Sequence, residues 1–588
     1  MPQLPRDPSE LPGRWQSWVF QAKASLLRMR RGLVEWGKRP PKHRRGEEGV
    51  DHPVTGSARA KLWTQLSEAE FPLTAGKVEN LRVSAAALHG LVIPADEVFS
   101  FWRQLGRTTR SKGYTVGREL REGCLVPNRG GGLCQVTGLL YQAALEAGLE
   151  IVERHAHSRL VPGSMGEKDL DATVFWNYVD LRFRAPFDWR LEVELDATHL
   201  EVRIKAKRPG KVIEEGEVLP TFARAAPSGD CLTCGQTACF RHPAATSAHA
   251  PSQGHSAFLL DHRWPEFDEW CRGHARENDR WFVPLDGQKY SKDNYAWRVP
   301  KGAMVTRAVI LTLAQSLRQR RLPAQGAVRQ AALLKRDRDL ARYYAERLSP
   351  ECRHLVVSQN LLPHLWQSGV MGGRTFDVLM ERWPLAELQK RLDEAAQRHP
   401  ESPTLSDFRA DPVLLRMENE ALARAGKLIT PHRAIAEHFG PRAWVLDWKM
   451  PEAGRRPERS GAHFFLPASP LGRKGIYDLV DFGRKLVVLG KAGEGAGGEF
   501  FRQGSMSDLF TARAVVLPAW IEHQPRLALE ALASGIPVYA TADCGLPDHE
   551  LLTVLDHSNF AGLMTSDSED LPRDSAEPLR DEKLAVEM

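Results

Sequence analysis

The chain has 588 residues, which is too long for a single hydrophobic core and predicts about three or four domains. Its net charge of +6, with 26% charged residues, is too weakly basic for this length to indicate a nucleic-acid partner. The sequence has no apolar run of about 18 residues and no short apolar segment near Met1, so we expect no transmembrane helix, no signal peptide and a cytoplasmic location.

Residues 1–55 are predicted to form a basic N-terminal arm. Apolar residues recur there at a spacing that suits one helix face, and basic residues accompany them. The apolar set is Trp15, Val19, Leu26, Leu27 and Leu33, and the basic set is Arg28, Arg30, Arg31, Lys38, Arg39, Lys42, Arg44 and Arg45. Such a helix suits peripheral contact with the anionic inner face of a membrane. The alternative is a solvated arm that docks on its own protein.

Residues 56–222 are predicted to form one mixed α/β domain, and its most informative segment starts at three glycines, Gly130–Gly132. Apolar residues then recur at i, i+3, i+4 and i+7 from Val136 to Ala147, which predicts a buried helix that ends at Gly148. Cys134 falls in the first turn of this helix. Because the free N–H groups and the dipole of a helix start stabilise an anion, we expect this cysteine to exist partly as a thiolate.

The residues after this helix supply candidate partners for the thiol. Leu149–Val152 predicts a strand, and His155 and His157 would lie on one face of its continuation. Asp171–Val174 predicts a second strand that begins with an acid. A cysteine, a histidine and a carboxylate in this order suit a thiol hydrolase or acyl transferase, with the histidine as base and Asp171 orienting it. The alternatives are a ligand pocket without covalent chemistry, a metal site formed by the cysteine and the two histidines, and a buried inert thiol.

The same region resembles the VanW family in the order and spacing of several motifs. These motifs are Lys77–Leu81, Phe99–Trp102, Gly113–Tyr114, Gly130–Gln135, Glu153–His155 with His157–Ser158, Asp171–Val174 and Asp180–Leu181. The resemblance covers about residues 75–190. The family is associated with glycopeptide-resistance (vancomycin-resistance) gene clusters and with bacterial cell-envelope proteins, so the resemblance implies a role in that metabolism without supplying a mechanism.

Residues 223–254 are predicted to form a linker that is rich in Ala, Ser, Pro and His. Three cysteines and a histidine lie within twelve positions, and they are Cys231, Cys234, Cys239 and His242. Soft ligands in this number predict a small structural zinc site, because a reducing compartment disfavours disulfides. An iron–sulfur site would need a fourth ligand such as Cys271 or His242. Exposed redox-active thiols are the remaining alternative.

Residues 255–450 and 451–560 are predicted to form two Rossmann-like domains, because short apolar runs alternate with helical segments. In the first, a strand is expected at Leu355–Gln359, and Glu418–Lys427 with Leu428–His432 resembles the acidic helix, strand and turn of the glycosyltransferase family named below. In the second, the expected strands are Ala462–Leu466, Lys485–Leu489, Ala514–Leu517 and Pro537–Thr541, and the expected helices are Gly475–Gly483, Ser505–Ala512 and Arg526–Ser534. Sheets of this kind bind ligands at the carboxyl ends of their strands.

The C-terminal half also resembles the retaining GT-B glycosyltransferases of glycosyltransferase family 4. Glu522 and Glu530 match the spacing of the two glutamates that contact the nucleotide-sugar in that family, and Lys474 with its following glycine resembles the family's phosphate-binding lysine. A lysine suits a diphosphate because it supplies positive charge and N–H donors. The family usually has an arginine a few residues before the lysine, whereas here the nearby arginine is the adjacent Arg473. The resemblance implies that these four residues bind a nucleotide-sugar.

Together these patterns predict an α/β multidomain protein, in which a mixed α/β VanW-like domain precedes two Rossmann-like domains of GT-B type and a disordered acidic tail at residues 561–588. The expected function is transfer of a sugar from a nucleotide donor to a cell-envelope glycan or peptide precursor. A Cys-His-Asp thiol hydrolase or acyl transferase in the VanW-like half is one alternative. A non-catalytic protein that binds glycan or peptide is the other.

Overall fold

A computed structural model describes residues 14–37, 39–63, 71–121, 124–156, 159–160, 170–207, 226–227, 254–323, 326–407, 409–452, 461–490, 493–494 and 501–564. The chain divides into two compact units. Unit 1 contains residues 1–322, 331–379 and 412–428, and unit 2 contains residues 323–330, 380–411 and 429–588. None of the helices in the described ranges is long and apolar enough to span a bilayer.

The N-terminal domain of unit 1 (residues 39–207) is built on an antiparallel sheet. The strand order is Arg44–Arg45, Leu91–Ile93, Trp189–Leu195, His199–Ala206 and Val54–Lys61. Buried and half-buried residues alternate along His199–Ala206, so one face of the sheet supplies the core. The helices Phe71–Leu88 and Cys134–Glu146 pack against this sheet.

Smaller elements complete this domain. They are a three-stranded sheet of Phe99–Ser100, Arg182–Arg184 and Glu150–Glu153, a hairpin of Val116–Arg121 and Cys124–Arg129, a parallel pair of Ala226–Pro227 and Arg159–Leu160, the helix Phe101–Leu105 and the 3-10 turn Arg110–Lys112. The N-terminal arm forms a helix at Arg14–Val34, as predicted.

A parallel sheet forms the rest of unit 1. Its strands in this unit have the order Met304–Arg307, Arg280–Val283, His255–Leu259, Cys352–Ser358 and Thr375–Leu379. The helices in this part of the chain are Pro265–His274, Val309–Gln319, Ala327–Ala345, Leu362–Gln367 and Pro412–Arg424, with 3-10 turns at Asp293–Tyr295 and Gln359–Leu361.

Unit 2 contains a six-stranded parallel sheet. The strand order is Arg502–Gly504, Leu486–Leu489, Phe464–Leu466, Ala514–Leu517, Val538–Ala540 and Leu552–Val554. The remaining elements include the helices Leu385–Arg398, Arg433–Phe439, Met506–Leu509 and Arg526–Ala533, the short strands Leu428–Thr430 and Ala443–Val445, and 3-10 segments at Gly440–Arg442, Gly472–Lys474, Ile476–Lys485, Ala542–Cys544, His557–Asn559 and Ala561–Met564. The chain moves outward from Phe464–Leu466 in one direction and from Ala514–Leu517 in the other, so the order of strands reverses between these two neighbours.

The predicted fold class is confirmed, since a mixed α/β domain precedes two parallel Rossmann-like sheets. The strand prediction at Asp171–Val174 is wrong, since these residues form no strand. Thr173 N donates to His155 O at 2.8 Å, and among the described residues this bond is not continued into a ladder. His155 likewise lies beyond its strand, which ends at Glu153. The predicted linker cysteines and most of the predicted tail fall outside the described residues.

Candidate functional site

Cys134 begins the helix Cys134–Glu146, as the sequence predicts, and it is half-buried. Its Sγ lies 3.7 Å from Thr173 Oγ1. Thr173 therefore holds a position against the thiol that the sequence-based interpretation gave to a histidine. Thr173 belongs to the Asp171–Val174 motif, so the sequence contained this residue as a candidate. The sequence-based interpretation chose the carboxylate of Asp171 from that motif and did not consider the Thr173 hydroxyl.

The His155 ring contacts an acid next to the arm helix. His155 Nε2 lies 3.2 Å from Glu153 Oε1, and the same carboxylate pairs with Arg31 at 2.5 Å. Burial raises the pKa of Glu153, but the hydrogen bonds from His155 and Arg31 outweigh burial and lower it to about 2. Glu153 is therefore an ionised anchor at neutral pH, and it holds both the arm and the His155 ring.

The segment that carries Asp171 packs over the start of the Cys134 helix. Thr137 Oγ1 donates to Ala172 O at 2.5 Å, and Arg154 Nε donates to Asp171 O at 2.8 Å. The structure thus brings the Asp171–Thr173 backbone to Cys134. His157 lies outside the described residues, and the proposed triad stays a prediction.

The described part of the chain contains no group of three His, Cys, Asp or Glu side chains that could hold a metal ion. Cys231, Cys234, Cys239 and His242 lie outside that part, so the zinc site stays a prediction. Cys271 lies on the helix Pro265–His274, where burial raises the pKa of its thiol well above the ordinary value. A protonated, enclosed thiol is a poor metal ligand.

In unit 2, Lys474 and Glu522 meet at the point where the strand order reverses. Lys474 follows Phe464–Leu466, and Glu522 follows the neighbouring strand Ala514–Leu517. Lys474 Nζ donates to Glu522 Oε2 at 2.7 Å and to Ile521 O at 3.0 Å. Burial opposes ionisation of Glu522, but the lysine outweighs it and lowers the pKa of that carboxyl. In open parallel sheets this reversal opens the crevice in which ligands bind.

Arg473 adds a second cation beside this ion pair. Its backbone carbonyl accepts hydrogen bonds from the N–H groups of Trp520 and Ile521, which fixes the two loops together. Burial lowers the pKa of Arg473, while Glu522 and Glu494 oppose that shift. Among the described residues its guanidinium forms no ion pair within hydrogen-bonding distance. These donors are therefore available for an anionic ligand.

Two histidines that the sequence-based interpretation missed lie behind Glu522, and they are the buried His432 and the half-buried His523. His432 Nδ1 accepts a hydrogen bond from Ile435 N at 3.3 Å, so the ring proton belongs on Nε2, which donates to Glu522 O at 2.9 Å. Burial lowers the pKa of His432 and lowers that of His523 well below its ordinary value. Both rings are therefore neutral supports at pH 7. The available signal was their position in the loops that follow the strands Leu428–Thr430 and Ala514–Leu517.

Glu530 and Glu494 are two further acids in the part of unit 2 that contains Lys474 and Glu522. Glu530 is half-buried on the helix Arg526–Ala533, and its carboxylate forms no ion pair among the described residues. Glu494 is buried and accepts hydrogen bonds from the hydroxyls of Ser402 and Thr404 and, at 3.3 Å, from Tyr477. The structure therefore groups Arg473, Lys474 and Glu522 closely, while Glu530 follows on the next helix.

Comparison with known families supports the interpretation of the N-terminal domain. Residues 76–206 match the family model described as VanW like protein. Those residues form a VanW-like domain. It resembles YoaR of Bacillus subtilis (strain 168), with 39% identity over 109 residues, 18% of this chain and 35% of that protein. It also resembles the vancomycin B-type resistance protein VanW of Enterococcus faecalis (strain ATCC 700802 / V583), with 35% identity over 125 residues, 20% of this chain and 46% of that protein. The chain thus spans less than half the length of each relative.

Several solved glycosyltransferase structures share partial similarity with about half of the chain. They include the lipopolysaccharide outer core galactosyltransferase WaaB, with 14% identity, TM-score 0.30 and coverage of 53% of this chain and 89% of that chain. Sucrose-phosphate synthase from Thermosynechococcus elongatus has 13% identity, TM-score 0.32 and coverage of 53% and 89%. Anabaena HepE in complex with UDP and glucose has 14% identity, TM-score 0.30 and coverage of 54% and 90%. The assignment of Rossmann-like sheets to this protein rests on the parallel strand order of its own two sheets.

Proposed function

We propose that this protein transfers a sugar from a nucleotide donor to a cell-envelope glycan or peptide precursor, as a retaining glycosyltransferase joined to a VanW-like domain. The observation that supports this proposal best is the Lys474–Glu522 ion pair, because it joins two loops at the reversal of strand order in unit 2. A cation held at that point by a neutralising acid is suited to an anionic ligand.

In this proposal Lys474 and Arg473 bind the diphosphate of the donor. When the donor's anomeric C–O bond breaks, negative charge grows on the leaving diphosphate, and fixed cations stabilise it. Glu522 keeps Lys474 extended before the donor binds, and Glu522 and Glu530 contact the sugar and nucleotide portions. The neutral His432 fixes the backbone of Glu522 and adds no charge of its own.

The test is binding of UDP- and GDP-sugars, measured as thermal shifts and by calorimetry. We expect at least one donor to bind, and Lys474→Met to weaken it by about 10–100-fold because the diphosphate loses a charged donor. Lys485→Met is the matched control, since Lys485 is an exposed lysine of the same unit. Absence of binding by every donor, or equal affinity in the two variants, would contradict the proposal.

A second candidate function concerns the VanW-like domain. There Cys134 would bind or attack a peptide or glycan fragment, with His155 or His157 as base and Asp171 orienting it. Its support is the half-buried thiol at a helix start with the Asp171–Thr173 segment beside it. Covalent capture of a peptide fragment that disappears in Cys134→Ser, with donor binding unchanged, separates this function from glycosyl transfer.

We also propose peripheral contact with an anionic membrane through the arm helix. Arg28 and Arg31 bind this helix to the VanW-like domain, through Trp176 O at 3.2 Å and Glu153 at 2.5 Å. The exposed apolar side chains of this part of the chain define the apolar stripe, and they are Trp18, Leu26, Leu27, Met29, Leu33, Val34 and, just after the helix, Trp36. Of the predicted stripe, the side chains of Trp15 and Val19 lie outside the described residues. Exposed basic residues lie on the helix and in the segment after it, at Lys23, Arg30, Arg39, Lys42, Arg44 and Arg45, and basic residues of this kind favour an anionic interface.

A further inference from the structure

Lys77 is a lysine enclosed within the VanW-like domain. It lies on the helix Phe71–Leu88 and is 9% exposed. Its stem runs directly past Gly132, because a Cβ on Gly132 would lie 2.4 Å from Lys77 Cγ. Gly132 also has a φ of +100°, which disfavours any other residue. The glycine thus makes room for the lysine two residues before Cys134.

The Lys77 ammonium makes no hydrogen bond or ion pair with any part of the chain that the structure describes. Burial, and to a smaller extent the nearby Arg118, lower its pKa to about 7. An enclosed lysine without an acid beside it opposes folding, and such costly charges cluster at functional sites.

The start of the Cys134 helix carries no neutralising side chain of its own. Leu133 occupies the N-cap position, and neither a side-chain cap nor an acid in the first turn neutralises the N–H groups there. Gly131 lies against Gly117 and Arg118, since a Cβ on Gly131 would approach their backbone atoms to 2.5 and 2.7 Å. The helix N-terminus and the Lys77 stem therefore adjoin one glycine loop, the Arg118 backbone packs against it, and Arg118 is close enough to act electrostatically on Lys77.

Asn80 holds this loop in a fixed shape. Its Nδ2 donates to Thr115 O at 3.1 Å and to Gly131 O at 3.0 Å, and its Oδ1 accepts from Thr115 N at 2.9 Å. A loop fixed in advance does not have to be ordered when a ligand binds, which favours affinity.

We propose that Lys77, Arg118 and the N-terminus of the Cys134 helix form a binding site for a carboxylate group next to Cys134. A substrate would place its carboxylate on the lysine and an adjacent atom at the thiol. This site goes beyond the proposed glycosyl transfer and does not depend on it, because all of its residues belong to the VanW-like domain.

The test compares two alkylating reagents on the full-length protein. Iodoacetate carries a carboxylate and iodoacetamide does not. In both reactions the Cys134 thiolate displaces iodide, so a C–S bond forms, the C–I bond breaks and the thiol proton passes to buffer. Modification at Cys134 is followed by peptide mass spectrometry. The rate with iodoacetate is divided by the rate with iodoacetamide, and this ratio is divided by the same ratio measured for glutathione. This ratio cancels the thiolate fraction, which both reagents share.

We expect the normalised ratio of the iodoacetate rate to the iodoacetamide rate to be about ten at pH 6.5. The ratio should fall as the pH rises through the Lys77 pKa of about 7. Lys77→Met should return it to one, whereas Lys42→Met, which changes an exposed lysine of the same domain, should leave it unchanged. An equal ratio in wild type and Lys77→Met, or no reaction of Cys134 with either reagent, would overturn the proposal.

A second measurement uses the wild-type protein alone, so it stands even if Lys77→Met does not fold. Sodium acetate should slow the reaction of Cys134 with iodoacetamide in a saturable way, and acetamide at equal concentration should not. If sodium acetate slows the reaction no more than sodium chloride does at the same concentration, the carboxylate site is absent.

Discussion

The Lys77 side chain reduces the stability of the VanW-like domain while it supplies charge. Its pKa in the folded protein is about 7, below that of an unfolded lysine. Protonation therefore favours the unfolded chain: the cost is fully present below pH 7 and decreases as the pH rises toward the unfolded pKa. We predict that Lys77→Met raises the free energy of unfolding by about 1–3 kcal/mol at pH 6, and by less at pH 9.

Urea denaturation at the two pH values measures this change. Lys42→Met should alter the free energy of unfolding by no more than about 0.5 kcal/mol at either pH. A destabilised Lys77→Met protein, or a gain that does not depend on pH, would show that Lys77 is charged and compensated within the fold.

Single residues differ in how far the sequence predicts them. The resemblance to glycosyltransferase family 4 predicts Lys474 and Glu522 as site residues, and the neighbouring parallel strands Phe464–Leu466 and Ala514–Leu517 place their loops side by side. Lys77 entered the sequence analysis only as the first residue of the Lys77–Leu81 motif, without a role of its own. Its burial depends on the missing side chain of Gly132, fifty-five positions away in the chain, and no local pattern contains that information.

At the scale of elements, the arm helix carries the next prediction. Replacing Leu26, Met29 and Leu33 together by serine should reduce binding to anionic vesicles by at least about tenfold, because each side chain contributes apolar burial in the interface. The measurement is co-sedimentation with phosphatidylcholine vesicles that contain about 30% phosphatidylglycerol. Vesicles of phosphatidylcholine alone should bind the wild-type protein more weakly.

The helix Val309–Gln319 offers a matched control for the arm. Ile310, Leu313 and Leu317 are also exposed aliphatic residues on one helical face of unit 1. Their replacement by serine should leave vesicle binding unchanged. If both triple variants bind like wild type, or if the arm variant instead changes the oligomeric state seen by light scattering, the stripe contacts something other than lipid.

Elements that depend on local pattern were predicted well. Ala514–Leu517 forms the predicted strand, because four consecutive apolar residues suit a strand buried on both faces. The predicted helix Gly475–Gly483 instead forms a 3-10 segment, Ile476–Lys485, with Gly483 in a non-helical conformation. Asp171–Val174 failed as a strand because contacts with the Cys134 helix, rather than a neighbouring strand, hold it in place.

At the scale of the whole molecule, the length of the chain predicted several domains. It did not predict which contacts join those domains and stabilise them together. Within unit 1, the VanW-like domain contacts the region of the first parallel sheet through buried polar groups. Arg82 Nε donates to Gly372 O at 2.7 Å, and Trp63 Nε1 donates to Gly373 O at 3.2 Å. These contacts join residues about 290 and 310 positions apart. Sequence periodicity is local and could not predict them.

Glu79 is the acid at the centre of these contacts. It pairs with Arg82 on its own helix and lies 3.6 Å from Arg374, which precedes the strand Thr375–Leu379. Arg374 is fully enclosed, and burial together with Arg82 lowers its pKa to about 9. The single carboxylate of Glu79 therefore compensates two arginines that repel each other.

We predict that Glu79→Gln lowers the free energy of unfolding by about 2–3 kcal/mol, because an enclosed arginine loses its counter-ion. The loss should reach both regions that Glu79 joins, so hydrogen exchange should become faster in Phe71–Leu88 and in Cys352–Ser358 alike. Glu150→Gln provides the control, since Glu150 pairs with Arg184 at an exposed site and should contribute less than about 1 kcal/mol. Faster exchange in only one of the two regions would mean that the VanW-like domain and the first parallel sheet unfold independently.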